Sequence, residues 1–115
     1  MLQEPLVIED LAGPGPGQRV LRLQGPLVVN NLFDFQGKVR ANQSPTLIID
    51  FSKVSYVDSA GIGAVVGAYV TQQKDGRRLF LVGVSQRIHS AMQVTRVEQF
   101  FRFFETLSDA ESAAA

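Results

Sequence analysis

Cysteine is absent from the 115 residues, which excludes a disulfide framework and any cysteine-based metal or redox site. A chain of this length can bury a useful core without such staples. One domain over residues 1–115 is therefore expected, with its core over about 5–110 and a flexible tail over 111–115. Histidine occurs once, at His89. A single imidazole without cysteine cannot build a typical zinc centre, so neither a metal nor a cofactor is expected. Neither sign of charge is in excess. Eleven Lys and Arg balance eleven Asp and Glu without forming runs, and the basic footprint of a dedicated nucleic-acid binder is missing. Long hydrophobic runs are missing as well: the uncharged stretch from Ser59 to Gln73 is 15 residues with three glycines, too short and too broken for a membrane span. The opening Met1-Leu2-Gln3-Glu4-Pro5 has an acid and a proline where a secretory leader has a basic start and an apolar run. These absences predict a cytoplasmic protein with no internal repeat and no dividing linker.

What is present reads as alternating strands and helices. Leu6-Val7-Ile8 and Arg19 to Gln24 predict a first hairpin around Gly13-Pro14-Gly15-Pro16-Gly17, with Gly25-Pro26 ending the second strand. The Gly-Pro alternation is no phosphate loop, since no Lys-Ser or Lys-Thr follows and proline lacks the N–H donors. Asn30 or Asn31 can cap a helix with Leu32, Phe35 and Val39 inward, stopped by Ser44-Pro45. Thr46 to Phe51 is a β-branched-rich run suited to the middle of a sheet. A helix from Asp58-Ser59 to Lys74 follows, with Gly76 at its C-terminal cap. Leu79 to Gly83 predicts a further strand, and Ser85 to Gln93 a helix capped by Ser85 with Ile88, Ala91 and Met92 inward. Phe100, Phe101, Phe103 and Phe104 fit a last strand and its lead-in on the core. Ser108 opens a short closing helix that frays into Ala113-Ala114-Ala115. The expected fold is α/β: a small mixed sheet with helices packed on one face.

The helix after Asp58 is unusual. Ile62, Val65, Val66, Tyr69 and Val70 form an apolar stripe at helical spacing. The other side holds Ala60, Gly63, Ala64, Gly67 and Ala68 where charged residues normally stand, a smooth surface open to close approach. Gly61 and Gly63 cost the first turns about 2 kcal/mol relative to Ala at roughly 1 kcal/mol each. Bare backbone at a helix N-terminus suits an anion, including one attached covalently to Ser59. From the residues alone Ser59 has three candidate roles: helix cap, nucleophile and phosphorylation site. The cap is the commonest of these. The nucleophile lacks a base and orienting group, with His89 the sole histidine and no Gly-x-Ser-x-Gly elbow. Gly61, Gly63 and Gly67 are spaced G-x-G-x-x-x-G, which departs from the dinucleotide fingerprint.

Leu47-Ile48-Ile49-Asp50-Phe51, then Val54, then Tyr56-Val57-Asp58-Ser59-Ala60-Gly61-Ile62-Gly63 resembles the central signature of the STAS domain, a family named for sulphate transporters and anti-sigma factor antagonists. The resemblance extends to Leu21-Arg22-Leu23-Gln24-Gly25-Pro26-Leu27, to Arg78-Leu79-Phe80-Leu81-Val82-Gly83-Val84 and to Val94-Thr95-Arg96-Val97-Glu98-Gln99-Phe100. It implies a non-enzymatic, bacterial anti-sigma factor antagonist acting by partner switching in transcription regulation. By position Ser59 is then the residue phosphorylated by an anti-sigma factor that is also a serine protein kinase. The unphosphorylated form binds that partner, and the phosphorylated form releases it. Asp58, Ser59, Ala60, Gly61, Ile62, Gly63, Ala64 and Gly67 make up the expected partner-binding face, with the protein a monomer or weak dimer. Ala60 stands where the family often has a second hydroxyl, and Val28 where it often has an Asp. A first alternative is a STAS scaffold subunit of a signalling or membrane-transporter complex with no phosphorylation switch. A second is a nucleotide- or ligand-sensing domain that uses the helix N-terminus.

Overall fold

Along the chain the elements are β1 (Val7–Ala12), β2 (Gln18–Leu27), α1 (Leu32–Ala41), β3 (Thr46–Val57), α2 (Ser59–Lys74), β4 (Arg78–Val82), α3 (Gln86–Val94), β5 (Arg102–Phe104) and α4 (Leu107–Ala114), with a 3-10 turn at Glu98–Phe100. This is a computed structural model, and it describes residues 4–13 and 15–114. Pro14 of the expected turn and Ala115 lie outside the described residues. The strands form one sheet in the order β1-β2-β3-β4-β5, so the β-branched run of β3 is central. β1 is antiparallel to β2, and the remaining neighbours are parallel, which makes the sheet mixed.

Side chains alternate across a strand, and both faces of this sheet are used. Leu21, Leu23, Leu47, Ile49 and Leu81 meet Phe35 and Val39 of α1, Ile62 and Val65 of α2, and Ile88 and Met92 of α3. Three helices thus cover one face, as the pattern predicted. Val20, Ile48, Phe80 and Val82 point the other way and meet Ala110, with Leu107, Ala113 and Ala114 around it. The closing helix therefore covers part of the opposite face. It continues as helix through Ala114 instead of fraying from Ala113, because those alanines rest on the sheet. Its first turn is held by Thr106, whose Oγ1 accepts from Asp109 N at 3.1 Å, and not by Ser108.

Beyond α4 that face turns polar. Glu9, Arg22 and Asp50 stand in register across β1, β2 and β3. Arg22 lies 3.7 Å from Glu9 and 3.6 Å from Asp50, and Asp50 also accepts from Ser52 N at 2.9 Å. Strand ends differ from expectation nearby. β2 does not stop at Gly25-Pro26 but runs to Leu27, with register irregularities on either side of Gly25. Such bulges accommodate a proline that cannot donate to the ladder. β3 likewise continues through Ser52 to Val57, where Lys53, Val54 and Val57 pair with Gln24, Gly25 and Leu27. This longer strand delivers the chain to the start of α2.

Candidate functional site

The β3–α2 junction turns on Asp58. Its backbone is extended (φ −88°, ψ −179°), and its Oδ1 accepts from Gly61 N at 2.7 Å, satisfying one of the unpaired donors of the first helical turn. Its Oδ2 accepts from Val29 N at 3.0 Å, and its own N–H donates to Leu27 O at 3.3 Å. One carboxylate therefore caps α2 and fastens the β2–α1 loop to it. Ser59 is the first helical residue and is exposed. The expectation that Ser59 acts as a cap gives way to Asp58, because only a residue with extended backbone just before the helix can fold its side chain onto the third N–H.

The glycines after it serve different ends. A Cβ on Gly61 would lie 2.2 Å from Leu27 O and 2.8 Å from Val57 Cγ1, so Gly61 lets the helix start press against the end of β2. Gly63 and Gly67 have nothing within 4 Å of a Cβ position. Nothing in the packing of the described residues requires those two glycines.

The rotation of α2 also departs from the wheel. Gly61, Ile62, Ala64, Val65, Ala68 and Gln72 are buried, while Ser59, Gly63, Gly67 and Val70 are exposed, Val70 at 55%. Ala64 and Ala68, expected on the open face, instead look toward Val39 and Arg40 of α1 across a small cavity of about 130 Å³. Their small size lets the helices approach. Of the residues expected at a partner-binding face, Ser59, Gly63 and Gly67 are exposed, Asp58 and Ala60 are partly exposed, and Gly61, Ile62 and Ala64 are inside. The last three can shape such a face but do not present a side chain to it. Tyr69 is half-buried, stacked on Phe100 with ring centroids 5.7 Å apart and edge-on to Phe101 at 5.9 Å.

The hydrogen bonds that fasten the loop beside the helix start were not foreseen. Asn31 precedes α1 without capping it; its Oδ1 accepts from Val28 N and its Nδ2 donates to Pro26 O, both at 2.9 Å. This clamp holds Val28 in the core and leaves Val29 60% exposed next to Asp58. The Asn30-Asn31 doublet was the available signal, but it pointed to helix capping. His89 packs edge-on against Phe103 at 4.7 Å, and no group of three or more potential metal ligands exists among the described residues.

A family model, the STAS domain, matches residues 13–110. The chain belongs to the STAS domain family. Among curated proteins, the anti-sigma-B factor antagonist of Listeria monocytogenes is 39% identical over 49 residues, 43% of each chain. The match thus spans less than half the length of that curated relative. Among solved structures, SpoIIAA of Bacillus in its phosphorylated form superposes with a TM-score of 0.74 at 19% identity, covering 95% of this STAS chain and 100% of that one. The murine anion transporter Slc26a9 shares the fold over 87% of this chain and 18% of its own, with a TM-score of 0.78 and 29% identity. No helix among the described residues of this STAS chain is long and apolar enough to cross a membrane.

Proposed function

We propose that this STAS domain is an anti-sigma factor antagonist: a non-enzymatic cytoplasmic module that binds a kinase-type anti-sigma factor when Ser59 is unmodified and releases it when Ser59 is phosphorylated. One observation carries the reading. Ser59 is exposed at the first position of α2 while Asp58 supplies the cap, so the hydroxyl can be modified without unfastening the helix. The curated anti-sigma-B factor antagonists and the phosphorylated form of SpoIIAA support it.

The physical logic separates folding from binding. A phosphate at a helix N-terminus interacts favourably with the dipole, by about 0.3 to 1 kcal/mol. Burying that dianion against a small, uncharged surface without a cationic partner costs several kcal/mol, enough to lower affinity by orders of magnitude. The surface in question runs from Val29 across Ser59 to Gly63 and Gly67. The Asp58 carboxylate beside Ser59 adds repulsion to any acidic group a partner presents.

A pull-down from the native cell extract with wild-type, Ser59→Ala and Ser59→Asp baits tests this. Retention of a kinase-like inhibitor by the first two and its loss from the third is the expected result. Equal retention by all three would contradict the switch and favour a scaffold role on the same face.

A further inference from the structure

The start of α2 leaves its far end unexplained, where arginines gather at a cleft. α2 contributes Tyr69 and Gln73 to this cleft, which lie about 15 and 21 Å along the helix from Ser59 at 1.5 Å rise per residue. Arg78 opens β4 and Arg102 opens β5. Pairing of the strands sets Arg102 beside Phe80, and alternation puts Arg78 on the same face. Both guanidiniums therefore reach one ring, with Cζ 5.5 Å (Arg78) and 5.0 Å (Arg102) from its centroid. Arg102 is also 5.3 Å from the Phe104 ring.

Neither guanidinium forms an ion pair among the described residues. Arg78 donates to the Ala114 carbonyl at 2.8 Å, a neutral acceptor. In a chain whose charges balance, two exposed cations on one ring with no carboxylate paired to them among the described residues are a local excess of positive charge. Contact with the ring restrains each guanidinium, and the N–H donors not spent on the Ala114 carbonyl remain for an oxyanion. Arg77 lines the same cleft but is already engaged, donating to Asn42 O at 3.1 Å and Gln43 Oε1 at 2.6 Å with Asp75 at 3.7 Å.

The cleft has a volume of about 290 Å³ and reaches from one face of the sheet to the other at the start of β4. Arg78, Phe80 and Arg102 line it from the face that α4 covers, and Tyr69, Gln73, Leu79 and Phe100, the last 43% exposed, from the side of α2. A simple carboxylate is satisfied by one guanidinium fork. Two forks beside an apolar wall match a dianion carrying an organic body. We infer that this cleft binds a small organic phosphate monoester, with the phosphate on Arg78 and Arg102 and the apolar body against Tyr69 and Phe100. The site does not depend on Ser59.

The test is a two-dimensional ¹H–¹⁵N NMR titration of the full chain with phenyl phosphate, inorganic phosphate and phenol in parallel. Phenyl phosphate is expected to shift the Nε–H signals of Arg78 and Arg102 and the Leu79 and Phe100 amides saturably. Inorganic phosphate binds the same groups more weakly, and phenol does not saturate. Arg102→Gln weakens phenyl phosphate binding by about tenfold or more, the scale of a lost charge-assisted pair. Arg102→Lys, which keeps the charge but not the fork, falls between. The inference is overturned if phenyl phosphate gives no saturable shift, if phenol binds as well as phenyl phosphate, if the shifts centre on Ser59, or if both Arg102 variants retain wild-type affinity.

Discussion

Replacing glycine by alanine at three positions of α2 should move stability in opposite directions. At Gly63 and Gly67 a methyl group would meet no atom within 4 Å, so the helix gains about 0.8 to 1 kcal/mol at each from alanine's higher propensity. At Gly61 the methyl would sit 2.2 Å from Leu27 O and 2.8 Å from Val57 Cγ1. Leu27 O is backbone of β2, and Val57 Cγ1 belongs to a buried, β-branched side chain of β3, so neither can swing aside as a long flexible side chain would. Overpacking of this kind costs about 1 to 3 kcal/mol, and the propensity gain so close to the helix start offsets only part of it. Urea unfolding followed by circular dichroism reads the difference. With a slope of about 1 to 3 kcal/mol per molar urea, the midpoint for Gly63→Ala should rise by roughly half a molar. The midpoint for Gly61→Ala should fall by a similar amount or more. Gly61→Ala as stable as Gly63→Ala would refute the reasoning about close approach. If the stabilised Gly63→Ala and Gly67→Ala proteins also bind the partner less tightly, the exposed glycines serve docking at the expense of stability.

The cap assignment gives a second contrast. Asp58→Ala loses the acceptor for both Gly61 N and Val29 N and should cost about 1 to 2 kcal/mol, whereas Ser59→Ala should stay within about 0.5 kcal/mol of wild type; thermal melts of both variants decide it. The cover provided by α4 is equally testable. Ending the chain after Glu105 uncovers Val20, Ile48, Phe80 and Val82, so the truncated protein should bind a hydrophobic dye such as ANS and melt at a lower temperature. An unchanged melt without dye binding would contradict the packing of α4.

The α/β alternation, the central place of Thr46 to Phe51, the Ser85 cap and the stop at Gly76 were all readable locally. Gly76 has φ +71°, the left-handed backbone that glycine adopts freely at a helix end. Ser85 accepts from Ile88 N at 3.2 Å, as a Ser before a periodic run suggests. Where the reading failed, the deciding partner lay far along the chain. Asp58 and Ser59 are both good caps on paper, and the choice between them is reinforced by Val29, a residue of the β2–α1 loop. The facing of α2 was ambiguous because the helix is apolar or small nearly all round, and periodicity cannot choose a side when both are uncharged. The approach of α1 chose it. The expected strand ended at Phe51 because Ser52, Lys53 and Ser55, exposed with Tyr56 on the strand, break the apolar run. Their strand character comes from pairing with β2, which no local pattern records. The Glu9–Arg22–Asp50 row and the Arg78–Arg102 pair are likewise cross-strand facts. As for the site, the Asp-Ser junction and its glycines were visible, but the hydrogen bonds from Asn31 and Asp58 that hold Val28 and Val29 beside it were not.

The most direct test of the central claim compares the unmodified domain with the domain phosphorylated at Ser59, prepared with the captured kinase or by semisynthesis. Two quantities are needed for each form: the melting temperature, and the Kd for the captured anti-sigma partner by calorimetry. The account predicts melting temperatures within a few degrees of each other and a Kd raised by about 100-fold or more, at 1.4 kcal/mol per tenfold. Equal affinities for both forms would contradict it, as would a phosphorylated domain that no longer folds.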